Sequence, residues 1–202
     1  AIIGYTNMAK KYIDNKQKVS DYLNKAQISS EHLLSLISDV LDMSKIENES
    51  ITIEKSPKNI IDSQKEIIDI VKQSAANKHI NLKYNFTSIL NPNIYMDKLH
   101  VNRIALNILS NAIKYTKEGG TVSYSIEQLE KTNENSASFI FTVQDTGIGM
   151  SEDFISHIFE AFERESSSIS SKIPGSGLGM AITKNLIDLM KGKIVIHSEL
   201  GK

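Results

Sequence analysis

Cysteine and tryptophan are absent from these 202 residues, and proline occurs only three times. The missing thiols exclude disulfides and thiolate metal sites, and they fit a reducing compartment such as the cytoplasm. An excess of one charge is lacking too. Lys and Arg total 23 against 24 Asp and Glu, a net charge of -1, which gives no reason to expect nucleic acid or a membrane surface as partner. No apolar run approaches the ~20 residues of a membrane span, and the N-terminus has no basic-then-apolar leader pattern, so any membrane anchor lies outside these residues. None of the five histidines stands in HExxH or similar spacing, which argues against a zinc site. What is present is 40% hydrophobic residues, enough for one well-cored domain and a short accessory element. There is no internal repeat, and Ser166 to Ser171 is the one low-complexity stretch.

Residues 1–46 contain no proline and a single glycine, Gly4, while apolar residues recur at helical spacing. This predicts two helices. The first carries Ile2, Ile3, Met8, Ala9, Tyr12 and Ile13 and fades over Asp14 to Lys18; Ser20 is the expected N-cap of the second. Leu23, Ala26, Leu33, Ile37 and Val40 then keep a three-then-four rhythm, widened by Leu34 and Leu41. Two helices cannot cover so much apolar surface alone, so pairing with a second copy into a homodimeric four-helix bundle is expected. At Ile51 and Ile53 the period changes to that of a half-buried strand, which places a boundary between a hairpin at 1–48 and a domain at 51–202. Pro57 is expected to open a helix carrying Ile60, Ile67, Ile68, Val71 and Ala75 that ends near Asn77. Strands follow at Ile80 to Phe86 and Ile94 to Met96, then a helix from Asp97 to Tyr115, and a hairpin of Val122 to Ile126 with Phe139 to Val143. A helix from Glu152 to Phe159, another from Leu178 to Met190 and a strand at Ile194 to Ile196 complete the reading. The fold class is α+β: a helical hairpin, then a sandwich of helices on one face of a mixed sheet.

Three polar clusters could carry chemistry. Asn107, Asn111 and Lys114 fall at i, i+4 and i+7, on one helix face. An amide oxygen is a neutral, hard ligand that can join phosphate oxygens around Mg²⁺, and a lysine nearby can neutralise phosphate charge. Taken alone, such a face is ordinarily just solvated. Asp145-Thr-Gly147-Ile148-Gly149-Met150 follows an apolar strand, where a carboxylate can accept from an exocyclic amine such as adenine N6 and glycines permit close backbone approach; an ordinary strand-to-helix turn has the same look. Gly175-Ser176-Gly177-Leu178-Gly179 precedes the last long helix, where free N–H groups suit phosphates. It has neither the dinucleotide register nor a Walker-type Gly-Lys-Ser/Thr.

In combination the clusters are specific. Asn107 to Thr116 resembles the N box of sensor histidine kinases, Asp145 to Met150 the G1 box, Phe159 to Arg164 the F box and Gly175 to Met180 the G2 box, in the family's order. Leu33 to Glu47 resembles the second dimerisation helix of hybrid-type members. The resemblance implies the GHKL or Bergerat ATP-binding fold, ATP and Mg²⁺ as cofactors, and phosphorylation of a histidine on the hairpin, with a response-regulator receiver domain as the next acceptor. It implies Asn111 as the Mg²⁺ ligand beside Asn107, Lys114 near the phosphates and Asp145 on the adenine amine. Tyr115, Ile148, Ser176 and Leu178 join Gly147, Gly149, Gly175, Gly177 and Gly179 in shaping the pocket. The segment 162–176 becomes the ATP lid. Lys172 and Arg164 are candidates for the γ-phosphate, although Lys172 reads equally as a solubilising charge.

The family places its acceptor in an H box, His-Glu/Asp-x-Arg-Thr-Pro, and no such motif occurs here. Ala1 to Thr6 resembles the sequence just downstream of it, so the acceptor is expected before Ala1 and no residue of this chain is assigned that role; a further strand is expected after Lys202. His32 follows Glu31 but lacks the Arg-Thr-Pro, and reads as a surface or seam residue. His100 is expected to pack. Two other readings stand beside the kinase: a nucleotide-sensing dimerisation module that has lost its acceptor, and another ATPase of the same fold. Against the latter stand the hairpin and an asparagine, Asn107, where such ATPases usually carry glutamate.

Overall fold

Apolar spacing over the first residues does produce a helical hairpin, α1 (Ile2–Lys11) and α2 (Lys16–Glu47). The computed structural model describes residues 1–48, 51–129, 136–165 and 175–201 and divides the chain into two units, Ala1–Ser50 and Ile51–Lys202. In the first unit the cap of α2 is Asn15, not Ser20: its Oδ1 accepts from Lys18 N at 3.1 Å. Lys16, Gln17 and Lys18 are good helix formers without apolar periodicity, so the rhythm that begins at Leu23 could not mark the true start. The turn is packed by Tyr12, whose ring stacks on Tyr22 at 6.0 Å with Lys18 Nζ 4.3 Å from its centroid. Leu23, Leu33, Leu34, Ile37, Val40 and Leu41 remain 47–67% exposed.

The second unit runs β1 (Ser56–Asn59), α3 (Ile60–Asn77), β2 (Asn81–Ser88), β3 (Asn93–Met96), α4 (Lys98–Tyr115), β4 (Thr121–Gln128), β5 (Phe139–Asp145), α5 (Glu152–His157) and α6 (Gly179–Leu189). One sheet has the order β2-β4-β5, parallel then antiparallel, and a separate antiparallel pair joins β1 to β3. On one face of the larger sheet, Val122, Tyr124 and Ile126 of β4 meet Ile67, Ile68, Val71 and Ala75 of α3 and Ala105, Leu109, Ala112 and Ile113 of α4. This is the α/β layering with a mixed sheet that the pattern predicts.

Two predicted strands are corrected. Ile51 to Glu54 alternates in burial but enters no ladder; the strand is Ser56–Asn59, with Pro57 inside it opposite Tyr95. A proline without an N–H is tolerated because β1 has a single paired side, and Asn59, not Pro57, caps α3 by accepting from Asp62 N at 3.2 Å. Ile194 to Ile196 likewise alternates in burial without pairing. This tail is held by Met150 N on Ser198 Oγ at 3.0 Å and Gly201 N on Ile148 O at 2.8 Å. An extended backbone produces the alternation; a ladder also requires a neighbour in register.

The core contains a polar knot. Tyr124 OH donates to Gln64 Oε1 at 2.7 Å, Gln64 Nε2 donates to Asn102 Oδ1 at 3.0 Å, and Ser63 Oγ donates to the same oxygen at 2.6 Å. Burial pushes the Tyr124 phenol up, so it stays neutral. Tyr124→Phe should strand Gln64 Oε1 in a residue with no solvent exposure, at a cost of about 1–3 kcal/mol. Urea unfolding should show it as a lower midpoint at unchanged slope.

Candidate functional site

The site is organised by α4. Its N-terminus is fixed by the buried Asp97, whose Oδ1 accepts from His100 N at 3.1 Å while Oδ2 accepts from Glu54 N at 2.9 Å and lies 2.7 Å from His100 Nδ1. Burial alone would raise the Asp97 carboxyl, but these hydrogen bonds outweigh it and hold the group below its usual range. His100 therefore packs as a partner of the cap.

Between Val101 and Thr116 only Ser110 is exposed, so the Asn107, Asn111 and Lys114 face is not a solvated one. Asn107 Nδ2 donates to Thr183 Oγ1 of α6 at 2.7 Å and lies 3.9 Å from Met180 Sδ. Its Oδ1 occupies the place that a Cβ on Gly179 would need. Lys114 Nζ stands 2.6 Å from where a Cβ on Gly175 would be. Asn111 lies between these two on the same face, partly buried. Both ends of the 175–179 turn thereby lie against α4. Gly177, at φ +73°, lies against the Phe162 backbone, and its carbonyl accepts from Phe162 N at 3.1 Å. Leu178 is buried, and its N–H donates to Ser176 Oγ at 3.2 Å.

The other glycine turn meets the C-terminal end of the same helix. Tyr115 O accepts from Ile148 N at 3.3 Å, and Thr116 forms a bridge with Gly147. Asp145, at the exposed end of β5, accepts from Gly147 N on Oδ1 at 2.8 Å. A Cβ on Gly147 would lie 2.5 Å from that oxygen and 2.9 Å from Tyr115 O. Both glycine segments therefore border the C-terminal half of α4, which carries Asn107, Asn111 and Lys114. Lys172 lies outside the described residues.

The electrostatics point one way. Burial, and then the charge of Arg164, push the Lys114 ammonium down; burial pushes the Tyr115 phenol up, with Arg164 opposing. A partly buried lysine ammonium thus stands beside a glycine turn. Thr183, Asp97 and its bond to Glu54 N are parts of the site that sequence reasoning missed. The signal for Thr183 was available, as a hydroxyl one helical turn after Gly179 on an otherwise apolar face.

An asparagine helix bordered by two glycine turns, in a layer of helices on a mixed sheet, defines an ATP-binding domain of the histidine kinase type. Residues 96–202 match the family described as histidine kinase-, DNA gyrase B-, and HSP90-like ATPase, and residues 1–49 match the His Kinase A (phospho-acceptor) domain. The chain belongs to that ATPase family and carries the phospho-acceptor-type hairpin before it. Its relatives are sensor histidine kinases. It is 32% identical over 200 residues to the autoinducer 2 sensor kinase/phosphatase LuxQ of Vibrio harveyi, covering 99% of this chain and 23% of that one. It is 34% identical over 204 residues to the sensor protein GacS of Pseudomonas syringae pv. syringae, covering 100% and 22%. The chain thus spans less than a quarter of the curated relatives it matches. Among solved structures, full-length ShkA in complex with AMPPNP superposes with a TM-score of 0.74 at 28% identity, covering 100% of this chain and 41% of that one. No helix among the described residues is long and apolar enough to cross a membrane.

Proposed function

We propose that this chain is the catalytic core of an ATP-dependent protein-histidine kinase that binds Mg·ATP around α4 and transfers its γ-phosphoryl group, within a homodimer, to an H-box histidine that is not among these 202 residues. The observation that carries the reading is that one face of α4 meets the 175–179 turn at both ends, with Lys114 Nζ at Gly175 and Asn107 Oδ1 at Gly179. A lysine ammonium beside a glycine turn that opens a helix suits a phosphate-bearing ligand. The glycines fit such a ligand, because side chains at Gly175 or Gly179 would collide with the Lys114 and Asn107 groups that must face it. Asn111 supplies a neutral oxygen suited to Mg²⁺, Lys114 neutralises phosphate charge, and Asp145 offers an acceptor to the adenine amine. Bound Mg²⁺ would add the charge neutralisation that phosphoryl transfer requires; the protein otherwise supplies positioning.

Asn107 argues against a hydrolytic role for the same fold. Its amide is engaged with Thr183 and offers no base for activating water. The half-exposed stripe on α2 supports the homodimer. A receiver-domain aspartate is the proposed next acceptor, and the cytoplasm the proposed location. Calorimetric titration of the 202-residue chain with Mg·ATP should show binding. Incubation with labelled ATP should leave no acid-labile phosphate, because none of its histidines stands in an H box; fusing an H-box segment before Ala1 should restore labelling. Absence of binding, or a phosphohistidine on His32, would overturn the assignment.

A further inference from the structure

The last four carbonyls of a helix have no intrahelical donor and must find one elsewhere. In α4 these belong to Ala112, Ile113, Lys114 and Tyr115, the turn from which the Lys114 side chain leaves and on which the 147–149 turn rests. Ala112 O accepts from Thr116 N at 3.0 Å and from Thr116 Oγ1 at 2.7 Å, and Tyr115 O accepts from Ile148 N at 3.3 Å. The two carbonyls between them are served by one group from another element. Lys78 Nζ donates to Ile113 O at 3.0 Å and to Lys114 O at 2.6 Å.

We propose that Lys78 is a positioning residue for the nucleotide site, acting through the C-terminal turn of α4; the proposal rests on the Mg·ATP reading above. Lys78 is the C-cap of α3, with its own N–H on Ala75 O at 3.2 Å, and His79 at φ +52° turns the chain toward β2. That tight turn fixes where the lysine leaves α3. A compact ammonium with three donors can serve two adjacent carbonyls at once, and its charge complements the negative end of the helix dipole. Partial burial pushes its pKa down, and its Nζ takes the place that water would otherwise fill at those carbonyls. Without Lys78 no other donor among the described residues serves Ile113 O or Lys114 O, and the last turn of α4 is free to fray. Two contacts of the site would then move together: Lys114 Nζ relative to Gly175, and Tyr115 O relative to Ile148 N.

The test compares Lys78→Met, which keeps the aliphatic stem, with Lys78→Arg and with the core variant Tyr124→Phe as a control for lost stability. Each is measured well below its unfolding temperature by calorimetric titration with Mg·ATP and by amide hydrogen exchange at Ile148. Lys78→Met should weaken binding about tenfold and speed exchange at Ile148 by a similar factor, the loss expected for charge-assisted bonds at a helix end. Lys78→Arg, which retains charge and donors, should recover most of both. Tyr124→Phe should lower the melting temperature yet leave both within about twofold. A Lys78→Met protein that melts earlier but binds and exchanges like the wild type would show a purely structural lysine and overturn the proposal, as would an equal loss of binding in Tyr124→Phe. Failure of the wild-type chain to bind Mg·ATP would instead bring down the functional reading, and the proposal with it.

Discussion

Gly149→Ala should destabilise the second unit by about 2–4 kcal/mol, more than most single substitutions, and two independent causes add to that figure. Gly149 sits at φ +67°, where a side chain costs about 1–2 kcal/mol. A Cβ there would also overlap the Glu199 carbonyl, with its carbon at 2.7 Å and Leu200 Cα at 3.0 Å. Both are backbone atoms and cannot rotate away. Relief requires moving the 198–201 tail, which is tied to the same turn by Gly201 N on Ile148 O and Met150 N on Ser198 Oγ, so at least one of these bonds, worth about 1 kcal/mol, is lost. Gly119→Ala isolates the first cause, since Gly119 has φ +77° and nothing within 4 Å of its would-be Cβ. Urea unfolding of the two variants separates the effects. Equal losses would mean that the tail does not press on the glycine turn.

That contact also shows where sequence reading stops. The helix with Asn107, Asn111 and Lys114 was legible because its period is local, and Gly147, Gly149 and Gly175 to Gly179 were legible because glycine is the residue that permits close approach. What each glycine approaches is set by residues far away in the chain: Glu199 for Gly149, Phe162 for Gly177, Asn107 for Gly179. Spacing alone carries no such information. The same limit explains the strands. Ile51 to Ile53 and Ile194 to Ile196 have the alternation of strands, but pairing depends on a partner edge that the segment itself does not encode. Caps were lost the same way. The start of α4 near Asp97 was legible from its local period, but the bonds by which Asp97 caps it were not, and Lys78 closes the other end of that helix from a different element.

Asp145→Asn should weaken binding of Mg·ATP by on the order of 1–3 kcal/mol, about 5- to 150-fold, without unfolding the site. The structure makes this substitution sharper than a simple charge deletion. Asp145 Oδ1 accepts from Gly147 N at 2.8 Å, and an asparagine can keep that bond only by turning its own oxygen toward Gly147. Its NH₂ group then takes the place of Oδ2, and a donor faces the adenine amine where an acceptor stood. The glycine turn is preserved while the recognition is inverted. Guanine presents an acceptor at the equivalent position, so the same rotation should leave binding of Mg·GTP unchanged or improve it, and the ratio of ATP to GTP affinity should fall by more than ATP affinity alone. Titrations of both nucleotides against wild type and variant measure this directly. Equal weakening for the two bases would mean that Asp145 acts on the phosphates or on the turn; no weakening for either would remove the carboxylate from the site altogether.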